Sequence, residues 1–234
     1  MPSKTELAIA GFYDGIYLFY ETVNSLLTLG LDLYWRARAA RLALRAAPGA
    51  REALDVCCGT GDFSIALRKA FGPGLAVTGT DLSEAMLSAA RKKNGGVTFL
   101  KAEAKELPFP DGKFDLVTIS FATRNLNIDK PLLLAALREF RRVLRPGGVF
   151  LQVETTRPAN PALRLLMGVY VRSVIGLLNL LSPKSRSSYL FLRNTILNFY
   201  PASEFDAVLL EAGFASASHA VLCPGAVAVH TAVK

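Results

Sequence analysis

At 234 residues the chain can bury one sizeable core, and 51% hydrophobic against 20% charged residues excludes an intrinsically disordered protein. A net charge of +8 leaves nucleic acid, an anionic membrane surface or an acidic ligand as partners, with the placement of the charge as the deciding observation. Cys57 and Cys58 are adjacent and Cys223 is remote, which excludes a disulfide framework and any metal-ligand spacing. No metal is expected, the thiols read as small apolar groups, and the compartment reads as reducing.

Glu6 and Asp14 interrupt the N-terminus before the apolar core of a secretory signal can form, so a cytoplasmic location is expected. The following stretch is aromatic at Phe12, Tyr13, Tyr17, Phe19, Tyr20, Tyr34 and Trp35, then basic at Arg36, Arg38, Arg41 and Arg45. Residues 1–48 are expected to form a helical extension, and both a lid and helices packed on the sheet's outer edge fit this composition.

From residue 49 to 154, short apolar runs alternate with helical stretches, the pattern of a parallel sheet covered on both faces. Strands are expected at Ala53–Cys57, Ala76–Thr80, Val97–Lys101, Leu116–Ser120 and Val149–Val153. Helices are expected at Phe63–Phe71, at Glu84–Lys93 with Ser83 as N-cap, and at Pro131–Leu144, the last stopped by Pro146-Gly147-Gly148.

The first strand opens into ALDVCCGTGD, Ala53 to Asp62, where Gly59 and Gly61 remove Cβ atoms at a strand-to-helix turn. Asp81 closes the next strand about 20 residues on, the place of a ribose-binding carboxylate. A dinucleotide fingerprint would place glycine at position 64, where Ser64 stands. Asp55, Asp62, Asp81 and Glu103 all fall at strand ends or just beyond, a poor lining for phosphates and a suitable one for an ammonium, a sulfonium and a diol. S-adenosylmethionine is the cofactor expected, and a nicotinamide dinucleotide is disfavoured.

Residues 155–203 contain no Asp or Glu but carry Arg157, Arg164, Arg172, Lys184, Arg186 and Arg193 among Leu165, Leu166, Met167, Val169, Ile175, Leu177 and Leu178. Arg164, Arg172 and Lys184 divide the stretch too finely for a spanning helix. A helix on an anionic bilayer, the cover of an apolar pocket and an ordinary buried insertion all remain open. Residues 204–234 supply a helix at Glu204–Ala212 and alternating runs at Ala217–Leu222 and Val227–Val233, an antiparallel pair that finishes the sheet. The expected fold is a single α/β domain: a doubly wound, Rossmann-like class I methyltransferase with a mostly parallel seven-stranded sheet, an N-terminal helical extension and a helical insertion after the fifth strand.

Further motifs narrow this. Tyr20-Glu21-Thr22-Val23-Asn24, Thr28-Leu29-Gly30 and Trp35, then SFATRNL from Ser120 to Leu126 and RVLRPGGVFLQVETT from Arg142 to Thr156, resemble the signatures of the UbiE-type family of C-methyltransferases that complete menaquinone and ubiquinone. SSYLFLRNTI at Ser187–Ile196 and GAVAVH at Gly225–His230 are also similar. Glu21, Thr28, Ala122, Arg145 and Thr156 are substitutions within these signatures, and Asp32 stands where the family usually has His. The resemblance runs from about Phe12 to Val233, and CCGTGD leans toward the menaquinone branch.

The resemblance implies cofactor contacts at Thr60, at Asp81 with Leu82 beside it, at Glu103 and Ala104, and at Ser120. Asp55 and the backbone of Cys57, Gly59 and Gly61 would face the methionine part. It implies a prenylated hydroquinone substrate, demethylmenaquinol ahead of a benzoquinol, and peripheral contact with the inner face of an anionic membrane. No strong base stands out. Arg124 and Asn125 are the catalytic candidates, the guanidinium to stabilise a quinolate and the amide to fix the hydroxyl, with the Tyr20 phenol as a third. His230 reads as a packed residue. A methyltransferase acting on RNA is the main rival, opposed because the basic residues are mixed with aliphatic ones and nucleic acid is not expected as a partner. Homo-oligomerisation is left open.

Overall fold

The computed structural model describes residues 23–93, 95–182 and 185–234, so Tyr20, most of the aromatic N-terminal stretch and Lys184 lie outside the described residues. Helix α1 (Asp32–Ala46), preceded by helical residues 23–28, leads into β1 (Glu52–Val56), α2 (Asp62–Phe71), β2 (Ala76–Asp81), α3 (Glu84–Lys92), β3 (Thr98–Lys101) and β4 (Phe114–Ser120). Then come α4 (Thr123–Leu126), α5 (Lys130–Val143), β5 (Leu144–Thr155), α6 (Pro161–Leu181), α7 (Arg186–Leu197), α8 (Ala202–Glu211), β6 (Ser216–Cys223) and β7 (Val227–Val233). The sheet runs β3-β2-β1-β4-β5-β7-β6, with only β7 and its neighbours antiparallel. This is the expected class I methyltransferase fold.

Local chemistry explains most element ends. Ser83 caps α3, its hydroxyl accepting the Met86 amide at 3.2 Å, and Asp129 caps α5 from Leu132 N at 2.7 Å. Two departures from the expected ends have a local cause. The first strand stops at Val56 because Cys57 turns left-handed at φ 52°, a conformation no strand tolerates. The fifth strand begins at Leu144, with Pro146-Gly147-Gly148 carried inside it through a shift of register against β4. The Arg124-Asn125 pair sits in the short helix α4.

The sheet is buried on both faces. On one, Leu133, Leu137 and Phe140 of α5 meet Val117 and Phe150, with Phe140 stacked on Phe150 at 5.8 Å between centroids. On the other, Ala39, Ala40 and Ala43 bring α1 close to Phe63 and Leu67 of α2 and to Leu151 of β5. The acid-free segment forms the continuous helices α6 and α7, so its arginines do not interrupt the helical run. Val171 and Ile175 pack there against Tyr189, Leu192, Ile196 and Val23, a small core of its own above the C-terminal ends of the strands.

Candidate active site

Strand order reverses between β1 and β4, and a cleft of about 250 Å³ opens beside the carboxyl ends of these strands, where open α/β sheets bind ligands. Its lining includes Cys57, Gly59, Thr60, Asp81, Leu82, Glu103, Ala104, Ser120 and Asn125, so nine of the residues singled out from the sequence converge on one space. Asp81 organises the turn: its Oδ2 accepts the Gly59 amide at 2.8 Å and its Oδ1 the Ser83 amide at 2.9 Å.

Asp55 and Gly61, expected beside the methionine part, are not among the residues that line this cleft. Asp55 is wholly buried, its carboxylate accepting the Ser64 hydroxyl at 2.6 Å and the Thr118 hydroxyl at 2.9 Å. Ser64 is therefore a partner for a buried acid, which explains why glycine is absent there. Gly61 takes φ 80°, and a Cβ on it would stand 2.8 Å from the Phe99 ring, so its role is helix-to-sheet packing.

Burial raises the Asp55 pKa from 3.8 to about 6, against the opposing pull of Ser64 and Thr118. Burial lowers that of His230 from 6.5 to about 4. The two act oppositely on stability. An acid with a raised folded pKa stabilises most at low pH and loses that contribution as pH rises through 6. A histidine with a lowered one stabilises fully above 6.5 and loses its contribution as pH falls toward 4. Shifts of this size are worth roughly 3 kcal/mol each and offset one another. Urea unfolding of Asp55→Asn is expected to show a deficit relative to the parent that grows as pH falls from 6 to 4; a pH-independent difference would refute the Asp55 assignment.

Arg124 is placed differently from Asn125. Its guanidinium is buried and paired with Glu154 Oε1 at 2.8 Å, while Nη1 also donates to the Phe121 carbonyl at 2.6 Å. The Arg124 amide donates to Glu154 Oε2 at 3.2 Å. These bonds tie α4 to the end of β5, and the pairing neutralises the charge that a substrate anion would meet.

Arg124 borders a second cavity of about 350 Å³, walled by Leu27, Leu29, Trp35, Leu163, Leu166, Met167, Val171, Ile196 and other apolar groups. Asn24 and Phe121 line both spaces and so mark their junction. The three non-glycine residues with positive φ among the described residues, Leu29, Cys57 and Phe121, all line one or both cavities. Strained backbone is thus gathered where a ligand would be gripped.

A polar cluster at this junction went unassigned in the sequence. Asp32 pairs with Arg36 at 2.5 Å and accepts Asn24 Nδ2 at 2.9 Å, and the Thr28 hydroxyl, 2.7 Å from the Asn24 carbonyl, lies 3.2 Å from its Oδ1. Arg36 reaches Ser120 Oγ at 3.5 Å and lies over the Phe121 ring at 5.1 Å. The signal was there: Asn24, Thr28, Asp32 and Arg36 recur every four residues, a polar stripe in an otherwise apolar and aromatic stretch.

Away from both cavities, Asp206, His219 and His230 have ligand atoms within 4.8 Å of one another. His230 Nε2 faces the Ala202 carbonyl at 2.9 Å and so carries the hydrogen, and Nδ1 accepts from Gln152 at 3.1 Å. Both nitrogens are thereby engaged, and the group straps α8 to the C-terminal hairpin.

The model of the ubiE/COQ5 methyltransferase family matches residues 1–234. The chain belongs to that family. Relatives of this methyltransferase include the demethylmenaquinone methyltransferases of Staphylococcus aureus, 36% identical over 226 residues covering 95% of this chain and 91% of theirs, and of Chlorobaculum parvum, 37% identical over 217 residues covering 92% and 88%. Among solved structures, a SAM-dependent methyltransferase from Thermotoga maritima superposes with a TM-score of 0.62 at 21% identity, covering 94% of this chain and 99% of that one, a likeness of fold. The cofactor is S-adenosylmethionine. The cleft fits it, with Asp81, Glu103 and Asp62 for hydroxyl and amino groups and Leu82, Met86, Ala102 and Ala104 for an apolar ring.

Proposed function

We propose that this methyltransferase methylates a ring carbon of a prenylated hydroquinone, of the kind named in its demethylmenaquinone methyltransferase relatives. The observation that carries this reading is the second cavity: about 350 Å³ of nearly continuous apolar wall, meeting the cofactor cleft at Asn24 and Phe121. Such a wall suits an aromatic ring with a hydrocarbon tail. Bound S-adenosylmethionine supplies a methyl group on a cationic sulfur. The chain's own work is to hold the reduced ring at the junction, exclude water through the apolar walls, and orient a ring hydroxyl toward Asn24, Ser120 and Asn125. Positioning of this kind can contribute ~7–11 kcal/mol toward the barrier.

The test is transfer of labelled methyl to demethylmenaquinol, to the oxidised quinone, to a benzoquinol and to RNA. Methylation of the naphthoquinol alone is expected, because the oxidised ring lacks the electron density that attacks carbon. Preference for the benzoquinol would move the substrate to the ubiquinone branch, and labelling of RNA would overturn the reading.

The same reading places α6 on an anionic membrane. The helix is 21 residues long with a window of mean hydropathy 1.5, long enough to cross a bilayer, but Gly168, Val171 and Ile175 are committed to the protein. Its outer Leu165, Leu166, Leu180 and Leu181 are 64–77% exposed, while Leu163, Leu166 and Met167 of the same helix wall the apolar cavity. Arg164, Arg172 and Arg186 flank this face, and no acid lies within residues 155–203. Basic residues near a charged bilayer contribute about 1 kcal/mol each. Co-sedimentation with anionic vesicles at low salt is expected for the parent, and weaker binding for a variant with Arg164, Arg172, Lys184 and Arg186 changed to Gln. Equal binding by both would remove the helix from the membrane.

A further inference from the structure

The proposed reaction creates a proton problem. When the ring carbon attacks the methyl group, the S–C bond breaks with its electron pair left on sulfur, and the new C–C bond forms from the ring's π electrons. The ring then carries a positive charge that its hydroxyl relieves: the O–H pair falls into the C–O bond, and the proton must go to a base. Loss of the hydrogen on the methylated carbon afterwards restores aromaticity, and the oxygen regains a proton, so one proton is released overall. Removal of the hydroxyl proton is the step for which the enzyme needs an acceptor at the junction of its cavities.

We infer that Asp32, buried, lining the cofactor cleft and bonded to Asn24 of the junction, is the general base that takes the quinol hydroxyl proton. This rests on the proposed quinol reading. Asp32 is bonded to Asn24, which lines both cavities, whereas the other acids of the cleft are held by groups outside the apolar cavity. Asp81 holds Gly59 and Ser83, Glu103 pairs with Lys105 at 2.8 Å, and Asp62 pairs with Lys93 at 2.6 Å. Burial pushes the Cys57 and Cys58 thiols well up, which keeps them protonated. Tyr170, in the apolar cavity, donates its hydroxyl to the Leu26 carbonyl at 2.6 Å. Neither described histidine lines either cavity.

The surroundings of Asp32 are those of a carboxylate held for use. Arg36 and Asn24 hold its position through Oδ2, and the Thr28 hydroxyl lies 3.2 Å from Oδ1. A hydroxyl on a cationic ring is far more acidic than on the ground-state quinol, so a carboxylate suffices to accept its proton. The base is therefore matched to the transition state. Arg36 holds the carboxylate in place, and Asn24, which lines both cavities, relates the substrate ring to it.

The experiment has two readouts. In steady-state assays with demethylmenaquinol, Asp32→Asn is expected to lower kcat by about 10²–10⁴-fold, with S-adenosylmethionine affinity by calorimetry within about threefold of the parent. Asp32→Glu is expected to recover part of the loss, because it restores a carboxylate. The second readout needs no cofactor: 1-naphthol, whose hydroxyl becomes strongly acidic on excitation, is bound in the apolar cavity. Naphtholate emission is expected from the parent and from Asp32→Glu, and emission from neutral naphthol in Asp32→Asn. Turnover near the parent's in Asp32→Asn, a glutamate variant no faster than the asparagine one, or the same emission from all three proteins would overturn the assignment. A parent that methylates no quinol would instead sink the substrate reading, and the naphthol readout would still judge Asp32.

Discussion

Asp81→Ala is expected to weaken S-adenosylmethionine binding by about 10- to 150-fold, the equivalent of ~1.5–3 kcal/mol for a lost charged acceptor. The effect has two sources that the structure separates. A ribose diol would lose its acceptor at the end of β2, and the Gly59 and Ser83 amides would lose the carboxylate that shapes the turn beneath the ligand. Asp81→Asn keeps one acceptor oxygen and is expected to fall between alanine and the parent. The strand itself should survive, since its pairing with β1 and β3 is made by backbone. Calorimetric titration of both variants tests this, and an alanine variant with the parent's affinity would remove Asp81 from the cofactor site.

Arg124→Ala is expected to cost about 3–5 kcal/mol of folding stability, because it leaves the Glu154 carboxylate buried, charged and unpaired. Against a typical total of about 5–15 kcal/mol that is a large fraction. Part of the carboxylate's hydrogen bonding would persist through Thr155 N at 2.8 Å and the Thr155 hydroxyl at 3.0 Å, which places the expected loss toward the lower end. The double change Arg124→Met with Glu154→Gln removes both charges together and is expected to recover a good part of the loss. Denaturant unfolding with a two-variant cycle measures this. If Arg124→Ala instead unfolds like the parent and loses only turnover, the residue belongs to the chemistry and not to the loop.

These results would separate two kinds of information in this chain. The alternating strands and helices were legible because they rest on local periodicity, and so was the glycine turn with its acid at the end of the next strand. Those patterns placed Gly59, Thr60, Asp81, Glu103 and Ser120 near one another before any packing was known, since a doubly wound sheet brings the carboxyl ends of its parallel strands together. The surroundings of Asp55, Gly61 and Arg124 were not legible along the chain. Whether a strand-end residue faces the cleft or the core depends on a one-residue alternation and on neighbours from other elements, here Ser64 and Thr118 for Asp55, Phe99 for Gly61 and Glu154 for Arg124. Asp32 and Arg36 acquire their place at the cofactor cleft only when α1 packs across the sheet, bringing Arg36 to Ser120, 84 positions away. Local sequence thus determined the elements and the composition of the site. The tertiary structure alone decided which polar groups face the ligand and which satisfy one another, because burial and pairing are properties of residues distant in the chain.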